Sequence, residues 1–390
     1  MSKNIVLCCD GTGNDFHDPS TNSNVVKLYA TLKINQEQFG YYHPGVGTMG
    51  SPKARGWFEQ QASRIWGLAT GAGLLDNVGD AYRYLMNTYE DGDRIYIFGF
   101  SRGAYTARAI ASLLHVFGLC CAGNEGLIPY ILRMYAQRSR QEKRKKATFD
   151  SEDAFKQTFS HKNEVNVHFC GVWDTVSSYG WVYSPINLPY AGRNPIILTG
   201  RHAISIHERR CYYHDNLWGH PFSGQDLRQV WFSGVHSDVG GSYLESESGL
   251  SKISLEWMLV EAEKAGLLID SQKVQRVLGR ENIPGDMPYA APDANADLHN
   301  SLHGPWWIPE FLPERNPHTK GRTWRWPLGH YRIIPPNSVI HESVVQGKWK
   351  RENLPAHSIE PWVPYPHTAT QQTMPSVPSL RVVGERVGQQ

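Results

Sequence analysis

The chain has no run of about 18 consecutive apolar residues, which excludes a membrane-spanning helix of ordinary length. Its first apolar stretch, Ile5 to Cys9, breaks at Asp10 and is too short for the core of a cleavable signal peptide. The expected location is therefore the cytoplasm, or outside the cell by a route that needs no such signal. Neither sign of charge dominates. Thirty-nine Lys and Arg stand against 37 Asp and Glu, a net +2, so no nucleic-acid partner is expected. The one basic run, Arg140 to Lys146, reads as a solvated helix end. Cysteine is scarce, and its six positions (Cys8, Cys9, Cys120, Cys121, Cys170, Cys211) do not make a disulfide framework. There is no CxxC and no HExxH, so neither a tetrahedral metal site nor any other cofactor is expected.

What is present is an ordinary globular composition, 40% hydrophobic over 390 residues, and an alternation of strand and helix patterns. Asn4 to Cys9 reads as a buried strand and Asn24 to Leu32 as a helix. Tyr41 to Thr48 reads as a strand breaking into a loop, and Leu74 to Tyr89 as a helix. Arg94 to Phe98 is a short strand, and a helix from Ala104 ends near Gly118. Leu127 to Arg144 is helical, Val165 to Cys170 and Gln229 to Phe232 are strands, and Ser251 to Ala265 is a helix stopped by Gly266. This order predicts an α/β fold of the α/β-hydrolase type, a mostly parallel sheet with helices on both faces. Residues 1–361 are expected to form one domain, with a loop-rich Trp/Pro lid or cap over 291–336 and a loosely held Pro-rich tail over 362–390.

One junction carries chemistry. Gly99-Phe100-Ser101-Arg102-Gly103 stands between a strand and a helix. A serine at the tip of such a turn is a nucleophile elbow, with small residues two before and two after so that neighbouring chain can pass close. The helix that follows aims its amide-rich end at charge forming near the serine. The Arg102 N–H would be one oxyanion donor. The plain alternative is a glycine-flanked turn with an exposed serine.

A serine nucleophile needs a base and an orienting carboxylate, and reactive groups collect where parallel strands end. After Ser101, Asp174 and His236 each follow an apolar strand. Asp174 could instead be a turn carboxylate, and His236 a structural histidine. His341 is the rival base, and Asp238, better read as a loop anchor, is the rival acid. Asp10 precedes the serine, the wrong order for the triad acid. The stretch Asp10 to Asn14 is read as the oxyanion-hole loop, with Gly11 or Thr12 giving the second donor. Arg102 and Asp10 are candidate substrate-binding groups, Arg102 for an anionic group such as a phosphate; the alternative for Arg102 is a salt bridge that braces loops.

Five stretches taken together resemble a known family. They are Cys9 to Asn14, Tyr42 to Thr48, Gly99 to Ala104, Gly171-Val172-Trp173-Asp174-Thr175-Val176, and Trp231 to Gly241. In order and spacing they resemble the uncharacterised α/β-hydrolase domain that forms the catalytic part of a class of type VI secretion phospholipase effectors. The resemblance covers roughly residues 3–345. It implies a Ser-Asp-His triad on Ser101, Asp174 and His236, ester hydrolysis, and phospholipase A-type activity in the effector members. One departure is His207, where the family usually has an acid. Another is the lack of the extra membrane-binding modules of the large effectors.

The expected function is a serine hydrolase that cleaves carboxylic esters, of lipid or phospholipid, through an acyl-enzyme. The substrate is an ester or lipid, and peripheral membrane contact is left open. The alternatives are an esterase or acyltransferase on small or polymeric esters, or a non-catalytic binding module. Trp306 and Trp307, with Trp324-Arg325-Trp326, are read either as an apolar lid and acyl wall or as aromatics of a loop core.

Overall fold

Asn4–Cys9 forms β1 with all six residues buried, as a continuous apolar run covered on both faces must be. The computed structural model describes residues 2–11, 19–45, 73–140, 146–176, 180–181, 184–185, 189–281, 284–285, 287–315 and 323–366. After β1 come α1 (Asn24–Thr31), β2 (Gln38–His43), α2 (Leu74–Thr88), β3 (Arg94–Phe100) and α3 (Arg102–Phe117). Then follow α4 (Ile128–Arg140), α5 (Lys146–Phe159), β4 (Val167–Trp173), β5 (Ile197–Ser205) and β6 (Asp226–Phe232). The remainder holds α6 (His236–Gly240), α7 (Gly249–Lys264), α8 (Ser271–Val277), α9 (Trp307–Glu310), β7 (Ser338–His341), α10 (Glu342–Gln346) and β8 (His357–Glu360).

The eight strands make one sheet in the order β8-β7-β6-β5-β4-β3-β1-β2, and every neighbouring pair is parallel. The α/β expectation holds. Alternate residues of β1 face opposite cores: Ile5 and Leu7 pack with α2, α3 and α4, Val6 and Cys8 with α1, α7 and α8. The strand order reverses between β1 and β3. Their carboxyl ends lie side by side, Cys9 opposite Gly99, and such a switch point is where an open parallel sheet leaves a crevice for ligands. Cys8, Cys9 and Cys170 are buried small residues of β1 and β4, and all six cysteines are free thiols.

Three strands, β5, β7 and β8, sit where the sequence pattern gave no warning. β5 is central, and β8 adds an edge beyond β7. Past β8 the chain stays packed at least as far as Tyr365, which is 2% exposed and hydrogen-bonds Glu256 and Glu263 of α7. Residues 367–390 of the expected tail lie outside the described residues, as do Val46 to Thr48.

Candidate active site

Ser101 joins β3 to α3 with φ 58° and ψ −120°. A non-glycine residue there is strained and persists only where its surroundings over-determine it. The surroundings do so here. A Cβ on Gly99 would lie 2.4 Å from the Gly103 carbonyl oxygen, and one on Gly103 would lie 2.1 Å from that of Cys9. Glycine at both positions lets α3 start directly against the ends of β3 and β1. The Ser101 N–H donates to the Trp173 carbonyl at 3.0 Å, which fixes the serine beside the end of β4. Arg102 opens α3, where N–H groups fall outside the helix's own bonding pattern.

Asp174 follows β4 at φ 38° and is fully buried. Aspartate tolerates the left-handed region better than most residues. Its Oδ2 lies 2.5 Å from His236 Nδ1, and its Oδ1 accepts the Ser205 N–H at 2.9 Å. Burial alone would raise the pKa of this carboxyl, but the Arg332 guanidinium and the His236 bond hold it well below the usual carboxylate range. His236 is the first residue of α6, and its ring packs between Phe100 and Tyr213, both at 4.7 Å between centroids. Burial lowers its pKa against the pull of Asp174. The imidazole is therefore neutral near pH 7, with Nδ1 turned to the carboxylate and Nε2 directed away from it. The structure thus brings Asp174 and His236 into contact, and holds Ser101 next to Phe100 and the end of β4.

The rivals are engaged elsewhere. His341 is buried, accepts the Ser343 N–H at 3.3 Å as the cap of α10, and stacks on Phe232. Burial lowers its pKa to about 3. Asp238 accepts the N–H groups of Val235 and His299 and lies 2.6 Å from His299 Nδ1. It anchors a loop, as its sequence context suggested.

Asp10 is buried and braces the loop after β1. Its Oδ2 accepts Ser23 Oγ at 2.7 Å and Tyr42 OH at 2.9 Å, and its Oδ1 accepts the Gly11 N–H at 2.7 Å. The Gly11 donor is thus turned to its own loop, and Thr12 lies outside the described residues. Burial lowers the Arg102 pKa to about 10, still cationic at neutral pH.

Sequence reasoning passed over three residues of this centre. Glu208 is fully buried; its Oε2 accepts the His236 N–H at 3.2 Å and Arg210 Nη2 at 2.9 Å. Burial would raise its pKa, yet the Arg210 ion pair holds it at about 2. It stands one place after His207, where the family resemblance flags a missing acid. His207 Nδ1 instead accepts the Gly234 N–H at 3.0 Å, two residues before His236. Tyr213 carries the ring contact to His236 onward to Trp306, 5.8 Å away. Arg332 grips Asp174 and had no signal in its neighbourhood.

Trp306 and Trp307 are half-buried, but their segment carries several exposed apolar side chains. Ile308 is 67% exposed, Phe311 59%, Trp324 60% and Trp326 56%. A short antiparallel pair, Glu314–Arg315 with Trp324–Arg325, ties this segment to itself, and the buried Glu310 carboxylate holds it to the body. Glu310 accepts the N–H groups of Cys211 and Gly329.

Comparison with known proteins gives a family match over residues 3–261, to the type VI secretion phospholipase effector Tle1-like catalytic domain. An uncharacterized protein of Saccharomyces cerevisiae, YEL023C, is 34% identical over 216 residues, 53% of this chain and 31% of that protein's length. Among solved structures, an uncharacterized protein from Pseudomonas aeruginosa is 21% identical with a TM-score of 0.42, over 73% of this chain and 48% of the other. The Tle1 effector bound to the VgrG spike is 16% identical with a TM-score of 0.34, over 71% and 62%.

Proposed function

The chain belongs to the family of Tle1-like phospholipase effector catalytic domains, and from that premise we propose that it is a serine hydrolase acting on lipid esters through Ser101, His236 and Asp174. The observation that carries this reading is the buried His236–Asp174 contact set beside a strained serine at the switch point of the sheet. His236 Nε2 takes the proton of Ser101 as the hydroxyl oxygen attacks the ester carbonyl. Asp174 holds the tautomer and stabilises the imidazolium. The Arg102 N–H, at the start of α3, receives the oxyanion, a contact worth about 3 kcal/mol. His236 then returns the proton to the leaving alcohol and activates water to release the acyl group.

The lipid class is supported by the segment that holds Ile308, Phe311, Trp324 and Trp326. Single exposed apolar residues are ordinary, but several large ones gathered in one segment favour a binding or membrane surface. It reaches the candidate base through Trp306 and Tyr213.

The test is fluorophosphonate labelling with the adduct located by mass spectrometry, beside fatty-acid release from phospholipid vesicles and from a soluble short-chain ester. The adduct is expected on Ser101. Ser101→Ala should lose labelling and more than about 10³-fold of hydrolysis while keeping its fold. Retained hydrolysis in that variant would remove Ser101 as the nucleophile. Hydrolysis of the soluble ester without any release from vesicles would move the substrate class away from lipid.

A further inference from the structure

Asp174 is held from two sides. On one side is His236. On the other, Arg332 Nη1 donates to Oδ1 at 2.5 Å and Nη2 to Oδ2 at 3.1 Å. This is a fork-to-fork pair, which fixes the carboxylate plane as no single donor could. The rest of the guanidinium is spent on the same neighbourhood: Nε on the Tyr213 carbonyl at 2.9 Å, Nη1 on Ser205 Oγ at 2.8 Å. Arg332 lies 158 residues beyond Asp174 and outside the family match. It sits between Tyr331 and Ile333, 43% and 53% exposed, which end the apolar segment.

We infer that Arg332 is a positioning residue for this centre: it shares the charge of Asp174, sets the basicity of His236 through it, and ties both to the seating of the apolar segment. The inference rests on the hydrolase reading above. A carboxylate that serves an imidazolium alone lends it a full charge. One that also receives a buried guanidinium lends less, so the base stays neutral to lower pH. Of the other charged groups nearby, Arg210 lowers the His236 pKa and Glu208 raises it, so the two oppose each other there. Glu208 and Arg210 are paired with each other, and Asp238 and His299 likewise. Burial lowers the His202 pKa to about 3, and its Nε2 accepts the Thr175 N–H. Tyr213 offers His236 its ring, Asp215 acts on Arg332, and Tyr213 acts on Arg102.

The experiment is the pH dependence of kcat/KM on a soluble ester, with the rate of Ser101 labelling as a second readout, for the full chain and for Arg332→Gln and Arg332→Lys. Arg332→Gln should move the acid limb to higher pH by about one unit and lower the plateau about tenfold. Arg332→Lys keeps the charge and loses the fork, so its limb should stay near the parent's while its plateau falls. A folded Arg332→Gln protein whose limb does not move overturns the inference and leaves the hydrolase reading standing. Should Arg332→Gln not fold, a plateau in Arg332→Lys equal to the parent's overturns it. A parent protein that never labels at Ser101 removes both readings together.

Discussion

Glu208 shows how much of this centre depends on one carboxylate that touches no reacting atom. It accepts the backbone N–H of His236 and the guanidinium of Arg210 at once, and Ser301 Oγ at 3.0 Å. Breaking a buried ion pair by removing one partner leaves the other charge stranded. Glu208→Gln should therefore destabilise the fold by about 3 kcal/mol and lower kcat/KM, as read by urea unfolding and the ester assay. Unchanged stability would show that Arg210 finds water instead. At this scale Ser101, Asp174 and His236 were legible, because each stands just past an apolar strand in a sheet whose strand ends share one rim. Glu208 and Arg332 were not. A glutamate beside a histidine and an arginine after a tyrosine have no local pattern, and their meaning comes from partners 28 and 158 residues away.

The elements that seat the serine were read nearly to the residue, since β1, β3 and α3 are built from uninterrupted apolar or helical patterns. β5 was not. Its sequence, ILTGRHAIS, puts Arg201 and His202 in the middle of a buried strand. Their polar groups are satisfied across the sheet: Arg201 by Glu261 at 2.7 Å and Asp226 at 2.5 Å, His202 by the Thr175 N–H. Tertiary pairing thus pays for a strand that periodicity rejects. The join of β3 to α3 leaves no room for a side chain at Gly99 or Gly103. Gly103→Ala drives a methyl into the Cys9 carbonyl, which is backbone and cannot swing aside. The expected loss is more than about 2 kcal/mol together with loss of Ser101 labelling. A thermal midpoint within 1–2 °C of the parent's, about the effect of a few tenths of a kcal/mol, would mean that α3 can slide.

At the scale of the molecule, His202, His341 and His207 join His236 as buried histidines kept neutral, with pKa values lowered by burial to about 3 at His202 and His341 and about 4 at His207. In the unfolded chain each titrates near 6.5. Below that pH the unfolded state binds protons that the folded state refuses, so stability falls as pH drops from about 6.5 towards 4. The carboxylates of Asp174 and Glu208, with depressed pKa values, add a second loss only below about 4. The urea midpoint should therefore already decline between pH 7 and 5; a flat midpoint over that range would mean these rings take up protons without unfolding.

The long reach from Asp174 to Arg332 also sets an order in time. A ribosome adds about 5–20 residues each second, so Arg332 leaves it roughly 8–30 s after Asp174. Ser101, Asp174 and His236 have all been synthesised by then, as has the sheet as far as β6. Until residues 332–360 arrive, Asp174 is an anion without its guanidinium, and β6 is an open edge awaiting β7 and β8. The centre is thus finished only when residues well downstream of its serine, carboxylate and histidine have been made.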